Sequence, residues 1–516
     1  MYKAGPYSIS PGFSWVGDWA ARRALLTPNK EAIYDTVQNV RYSYATLNDR
    51  ANKLARVLLE YDIAKGDRVA VFSSNRIECI DLFLATGKIG GILVPFNIRL
   101  SSQEIEYLVK KTKPSIAFYE EKLFSKIEGV KNQKLINNYI VMGSDSFHED
   151  PASYTLMRKK SSSNIERPSI NLEDPHLILF TGGTTGLPKG AVLPHRLIYW
   201  NSVNTILSWS LRPDDIQPLL FPLFHTGGWN VLLVPFYHLG AKTILMGDFN
   251  PEETLTIIEK EKCSIVIGVP TMFHMMSNSP QFEKSNFDSV RMFISGGAPC
   301  PVAIMEHYWK RNKFFKMGYG LTEVGPNNFY LPEDIIKKKP TSVGLPVLHC
   351  DMKIVNTEMN KIVKQGEVGE LLLRGLHIFT GYWDEPEETK KTIESDGWVH
   401  TGDLAMQDEQ GYYYIVGRKK EMFISGGENV FPVEIEELLF KHPSIDLAAV
   451  IGVPDEMWGE VGKAFLTLKP GKNVTPDEIK AYLVERLAKY KVPKYYEIRD
   501  SLPTSATGKI LKKDLS

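Results

Sequence analysis

Cysteine, net charge and long apolar runs are all scarce in this 516-residue chain. The four cysteines, Cys79, Cys263, Cys300 and Cys350, lie far apart and form no Cys-x-x-Cys pair. That spacing excludes a disulfide-stapled scaffold and a zinc ribbon, and fits reduced structural thiols in a cytoplasmic protein. Lys plus Arg and Asp plus Glu each number 61. With charges balanced, nothing draws the whole chain to a polyanion, and no nucleic-acid partner is expected. Even the apolar stretch 231–246 is interrupted by Pro235, His238, Gly240 and Lys242. No transmembrane segment is therefore expected, while peripheral membrane contact stays open. The opening Met-Tyr-Lys-Ala-Gly-Pro-Tyr holds no apolar signal core.

What is present describes a multidomain globular enzyme, with 43% hydrophobic and 24% charged residues. Its most informative stretch is 180–190, Phe-Thr-Gly-Gly-Thr-Thr-Gly-Leu-Pro-Lys-Gly, which follows the apolar run 177–180. The run suits a buried strand. The loop after it offers backbone amides and hydroxyls with little bulk, and Lys189 adds a positive charge. Such a loop can wrap an anion, so polyphosphate binding is expected, although a plain turn has the same composition. A Walker loop needs Ser or Thr after Gly-Lys, and here Lys189 stands between Pro188 and Gly190.

Up to about residue 170 the patterns alternate. Leu47, Ala51, Leu54, Ala55 and Leu58 repeat at helical spacing, and apolar runs occur at 69–72, 92–94 and 116–118. A lysine-rich loop at 158–163 leads into the phosphate-loop strand, after which strands are expected at 243–246, 265–269 and 292–294. That rhythm predicts doubly wound α/β units. Beyond about Gly344, short Gly-punctuated runs at 369–373 and 412–415 predict antiparallel strands in a small barrel-like subdomain. Gly417-Arg418-Lys419-Lys420 reads as a boundary. After it, Pro432 opens a short helix, and Thr475-Pro476-Asp477-Glu478 is a capping box.

Four further strings carry chemistry. In Gly318-Tyr319-Gly320-Leu321-Thr322-Glu323 an aromatic between glycines can face a flat base, with oxygen ligands following. Asp403, after the turn in Trp398-Val399-His400-Thr401-Gly402, can accept two hydroxyls, or serve only the turn. Residues 221–230, Phe-Pro-Leu-Phe-His-Thr-Gly-Gly-Trp-Asn, hold one histidine in an apolar setting. Residues 503–510 end in Gly508-Lys509-Ile510, where a solvated lysine is the ordinary reading.

Taken in this order, from about residue 40 to 516, the strings resemble the adenylate-forming superfamily of acyl-CoA synthetases, peptide-synthetase adenylation domains and luciferases, nearest the fatty-acid–CoA ligases. One departure is Gly182, where serine is common. The resemblance implies ATP, Mg2+ and CoA as cofactors. Thr181, Gly182, Gly183, Thr184, Thr185, Gly186 and Lys189 would cradle phosphates. Tyr319, with Gly318, Gly320, Gly297, Ala298 and Pro299, would hold adenine, and Thr322 would touch the α-phosphate. Glu323 with Thr181 would hold Mg2+, and Asp403 and Arg418 the ribose.

His225 would gate the carboxylate. Gly227, Gly228, Trp229, Gly296, Val324, Gly325 and Pro326 would line the acid pocket, the two adjacent glycines leaving room for a long or broad tail. Histidine replaces the aspartate of amino-acid-activating relatives, which implies an acid without an α-amino group. Lys509 would bridge carboxylate and ATP. Lys420 would be the hinge about which Gly426 and Gly427 swing in to admit pantetheine.

The expected fold is α/β. Residues 1–417 would form a large domain of doubly wound mixed sheets with the barrel-like subdomain, 418–420 the hinge, and 421–516 a small mobile α+β domain. The expected activity is ATP-dependent ligation of a medium- or long-chain fatty acid to CoA, by a monomer or homodimer. A carrier-protein-loading or aryl-acid enzyme, an adenylate-oxidising enzyme and a non-catalytic binding homologue stand as alternatives.

Overall fold

The strand that precedes the phosphate loop is buried on both faces. Pro175–Thr181 sits third in a seven-stranded sheet, and Leu177, Ile178 and Leu179 are almost wholly removed from solvent. Burying each such side chain contributes about 1.5–3 kcal/mol. The computed structural model describes residues 13–142, 160–163, 165–182, 188–505 and 508–515. Gly183, Thr184, Thr185 and Gly186 therefore lie outside the described residues, as do the first two residues of the lysine-rich loop at 158–163.

The sheet runs Gly381–Tyr382, Lys189–Pro194, Pro175–Thr181, Ile92–Pro95, Arg68–Phe72, Ile116–Glu120, Asn138–Met142. Strands from Pro175–Thr181 onward are parallel, and the other two are antiparallel. The antiparallel hairpin pairs Thr181 with Lys189, so the two ends of the phosphate loop are clamped side by side. Helices Tyr44–Glu60 and Ile77–Ile89 pack against each other. The five residues read as helix-spaced all lie on the buried face of Tyr44–Glu60.

A second sheet orders Val40–Ser43, Glu31–Asp35, Lys242–Leu245, Ile216–Leu219, and a third orders Ile265–Gly268, Met292–Ser295, Phe315–Met317 in parallel. Ser264 joins them: its N–H donates to the Ile216 carbonyl at 2.8 Å, and its hydroxyl accepts from the Ile216 N–H at 2.9 Å. The third sheet ends at Gly296 and Gly318, which places two candidate strings at one edge. The late antiparallel strands are Cys350–Val355, Gly369–Gly375, Val399–Gln407 and Tyr413–Arg418, paired in that order.

The C-terminal part has its own core. Phe423, Val430, Ile435, Leu439, Val450, Leu466, Ile479 and Leu483 cluster apart from the large core. The capping box at Thr475 and Glu478 forms with both reciprocal hydrogen bonds. The described polar contacts holding this domain on the large one are few: Thr271 Oγ1–H donates to the Gly508 carbonyl at 3.1 Å, Arg99 Nη1–H to the Ser505 carbonyl at 3.5 Å, and His274 Nε2 meets Asp446 Oδ1 at 2.8 Å. Such a contact set suits a domain that docks rather than fuses.

Candidate active site

Three strand ends and one hairpin meet at the site. Glu323 lies after the Gly-Tyr-Gly turn, whose tightness is enforced by contact: a Cβ on Gly320 would stand 2.3 Å from the Pro326 carbonyl oxygen. Tyr382 donates its hydroxyl to Glu323 Oε1 at 2.9 Å, and Thr181 donates to the same oxygen at 3.3 Å. A carboxylate and a threonine hydroxyl at the mouth of the phosphate loop are hard oxygen donors. Among the described residues no cluster of three or more His, Cys, Asp or Glu could hold a metal unaided. Magnesium is commonly held by one or two carboxylates together with substrate phosphates, and this donor set fits it.

Lys189 faces Glu388, Nζ to Oε2 at 2.5 Å, and lies 5.3 Å from the centre of the Tyr382 ring. Hydrogen bonds from Lys189 and then Lys391 hold Glu388 down at about 2. The cation expected at the loop is thus tethered by a carboxylate that no motif marked.

Tyr319 donates its hydroxyl to Asp403 Oδ2 at 2.7 Å, while Arg418 Nε lies 3.1 Å from Asp403 Oδ1. Asp403 and Arg418 face each other across neighbouring strands. Burial raises Asp403 above the usual carboxylate range, and Arg418 and Tyr319 act against that rise. The expected base-stacking and ribose residues therefore form one connected group. Thr322, beside Glu323, is buried at 6% exposure.

Lys509 reaches the site from the small domain. Thr504 and Ile510 bridge as antiparallel partners, the Ser505 N–H donates to the Lys509 carbonyl at 2.6 Å, and the Lys509 N–H to Ser505 Oγ at 3.1 Å. This hairpin lays the lysine across Gly297, where a Cβ would stand 3.0 Å from Lys509 Cε. Gly297, at φ +83°, is thus needed both for its turn and for close passage. Burial and then the Arg418 guanidinium lower Lys509 to about 8, with Asp403 and Glu421 opposing. Burial, and then the Lys509 charge, lower His225 to about 4. Its Nδ1 accepts the Gly227 N–H at 3.1 Å, which puts the ring proton of neutral His225 on Nε2. Desolvation by burial is the largest cause of both lowered values.

Two expectations for the acid pocket are corrected. Gly227 and Gly228 do not leave open room. A Cβ on Gly228 would stand 2.4 Å from the Pro222 carbonyl oxygen, and one on Gly227 3.0 Å from the Phe221 ring. Their missing side chains are filled by the chain folding back through the π-turn Gly227–Val231. Trp229 is fully buried in the core, stacked on Phe83 at 4.9 Å, with Nε1–H donating to the Leu223 carbonyl.

Gly296 does stand open, since the nearest atom to a Cβ there is the Gly318 carbonyl oxygen at 3.8 Å. Val324 is fully buried, and a Cβ on Gly325 would stand 2.8 Å from Asn201 Oδ1. Ala298 is half-buried and Pro299 exposed beside Gly297. Gly182, Lys420, Gly426 and Gly427 are exposed. Gly426 and Gly427 turn the hairpin between Phe423–Ser425 and Glu428–Val430, with Trp458 packed against Gly426. The structure does not bring them to the residues around Lys509.

Comparison with known proteins agrees with this geometry. The chain matches the family model for the AMP-binding enzyme over residues 20–383, and the model for the AMP-binding enzyme C-terminal domain over 434–509. It is 34% identical to feruloyl-CoA synthase of Amycolatopsis sp over 97% of this chain and 98% of that protein. It is 32% identical to the long-chain-fatty-acid–CoA ligase FadD13 of Mycobacterium tuberculosis, over 96% of this chain and 97% of that one. MatB from Rhodopseudomonas palustris in its ATP-bound crystal structure superposes with a TM-score of 0.89 at 30% identity, covering 97% of this chain and 98% of MatB. The apo MatB structure gives 0.79 over the same coverage. With matched models spanning most of its length and relatives above 30% identity end to end, the chain belongs to the AMP-binding enzyme family.

Proposed function

We propose that this acid–CoA ligase activates a carboxylic acid with an apolar body and no α-amino group, with medium- or long-chain fatty acids as the first class. The observation that carries this reading is the segment around His225. Residues 216–241 contain no Asp, Glu, Lys or Arg. A charged tail or an α-ammonium would meet no counter-charge from that segment, and leaving a charge unpaired there is costly. A second reading, an aryl acid, is favoured by the 34% identity to feruloyl-CoA synthase.

The reaction has two halves. In the first, the acid's carboxylate oxygen attacks the α-phosphorus of ATP in line, the bond to the bridging oxygen breaks, and pyrophosphate leaves. The protein's part is positioning and charge neutralisation. Lys509, laid over Gly297, would contact carboxylate and phosphate together. Neutral His225 would donate Nε2–H toward the carboxylate. Tyr319 would present its ring to adenine, and Asp403 with Arg418 would take the ribose hydroxyls. Glu323 and Thr181 would hold Mg2+, which supplies neutralisation of phosphate charge when bound.

In the second half a thiolate sulfur attacks the acyl carbon and AMP leaves. The small domain would turn about Lys420, withdrawing Lys509 and bringing Gly426 and Gly427 to the site. Division of the chain at 418–420 into a body of 1–417 and a domain of 421–516 is part of this proposal, and the separate core of the latter supports it.

The test is pyrophosphate release from ATP over a panel of alkanoic and aryl acids, with and without CoA, products being identified by mass. Acyl-CoA formed best from alkanoic acids of medium or long chain supports the first class. Acyl-CoA formed best from aryl acids moves the assignment to the second. Adenylate without a CoA adduct would overturn CoA as the acceptor.

A further inference from the structure

Glu323 is held, main chain and side chain, by a segment far along the chain from it. The Phe379 N–H donates to the Glu323 carbonyl at 2.8 Å, and the Tyr382 hydroxyl donates to Glu323 Oε1 at 2.9 Å. Tyr382 lies on the short strand Gly381–Tyr382, paired with Ala191 and Val192 at the edge of the seven-stranded sheet. Its N–H donates to Thr389 Oγ1 at 2.8 Å, its ring meets Phe379 edge-on at 5.0 Å, and it is 9% exposed. Gly381, at φ +142°, lets Thr389 approach: a Cβ there would stand 2.5 Å from Thr389 Cγ2. These contacts fix the ring, and with it the hydroxyl.

A buried tyrosine hydroxyl usually finds some acceptor. What sets this one apart is the state of the acceptor. Oε1 takes the Tyr382 hydroxyl and, at 3.3 Å, the Thr181 hydroxyl, whereas Oε2 takes no donor among the described residues. A carboxylate offers about four lone-pair sites over its two oxygens, and when ionised it only accepts. Two donors therefore occupy Oε1 and leave Oε2 open. Thr181 spends its hydrogen on Oε1, so its own oxygen keeps lone pairs for a cation.

Which carboxylate oxygens stand open decides between divalent cations. Ca2+ takes about six to eight oxygen ligands in flexible geometry and binds carboxylates through one oxygen or both. Mg2+ is smaller and demands near-ideal octahedral geometry. A carboxylate restricted to one oxygen suits the smaller ion and denies the larger one its two-oxygen mode.

Resting on the acid–CoA ligase reading and on Glu323 as its metal ligand, we propose that Tyr382 is a positioning residue that closes Oε1 of Glu323, restricts the carboxylate to Oε2, and so sets a preference for Mg2+ over Ca2+ in nucleotide binding. Without the hydroxyl, Oε1 keeps only the longer bond from Thr181. Mg2+ then loses an oriented ligand, and Ca2+ gains an oxygen.

The experiment is calorimetric titration of ATP into the full chain, without acid or CoA, in excess Mg2+, in excess Ca2+ and in EDTA. Wild type is expected to bind ATP about tenfold or more tightly with Mg2+ than with Ca2+. Tyr382→Phe keeps the ring and should lower that ratio by about tenfold or more, the usual scale for losing a group that orients a metal ligand, with binding in EDTA the same. A smaller change in the ratio overturns the proposal, since a purely structural hydroxyl would shift all three affinities together. A wild-type ratio below about tenfold overturns it without any variant, so a Tyr382→Phe that fails to fold does not shield it. Unchanged MgATP affinity in folded Glu323→Gln overturns the metal site and the proposal with it. The ligase reading fails separately, by silence of the wild type in the pyrophosphate assay.

Discussion

The two ends of the small domain are built alike and placed differently. Each is a glycine-containing hairpin: one spans Thr504 to Ile510 and carries Lys509, the other joins Phe423–Ser425 to Glu428–Val430 through Gly426 and Gly427. The first lies against the large domain, with Gly508 bonded to Thr271 and Lys509 across Gly297. The second is exposed, and its close neighbour is Trp458 of its own domain. The difference teaches how the two hairpins could divide the two proposed half-reactions between them. Lys509 lies across Gly297 while the glycine hairpin stays exposed.

The comparison breaks first at Lys509. Lys509→Ala is expected to slow acid-dependent pyrophosphate release by about 10²–10³-fold, the loss typical of removing one preorganised donor. Thioester formation from supplied acyl-adenylate should be nearly unchanged. Rapid-quench measurement of both half-reactions checks this, and loss of both in a folded variant would contradict the division of labour.

Gly426→Val tests the other end. Gly426 has φ +61°, and a Cβ there would stand 2.9 Å from the Trp458 ring. Both strain and contact should shift the hairpin, slowing thioester formation by about 10²-fold while pyrophosphate release persists. Equal loss in both halves, measured by the same assay, would remove the contrast.

A smaller effect sharpens it through pH. In the proposed adenylation step Lys509 acts as a cation, and burial lowers it to about 8 from an ordinary 10.5. Its charge is present below that value and lost above it, so kcat/KM for adenylation should fall as pH rises through about 8. Bound polyphosphate favours the cation, so the same limb in kcat should lie higher. Thioester formation from supplied adenylate should lack this limb. His225, at about 4, stays neutral throughout and contributes no limb near neutrality.

Much of the fold was legible because its signals are local. The helix periodicity from Leu47 to Leu58, the strand run at 177–180 and the capping box at Thr475 each depend on neighbours within a few residues. The main-chain turns around Tyr319 and Asp403 were legible for the same reason. Gly228 was misread because a glycine looks the same whether its empty side serves a ligand or a close-packed carbonyl. Tyr382 and Glu388 gave no usable signal. Tyr382 bonds a residue 59 positions away, and Glu388 a residue 199 positions away.

The sequence by itself determined the order and chemistry of the parts: a glycine–threonine loop, an aromatic before a glutamate, a turn aspartate and a terminal lysine. These follow from residue type and short spacing, which the chain carries into any conformation. Only the tertiary structure decided which hairpin of the small domain faces the site, that a glutamate tethers Lys189, and that burial together with the Lys509 charge lowers His225. Those are properties of distance and dielectric between groups far apart in the chain, and they exist only once burial has brought the groups together.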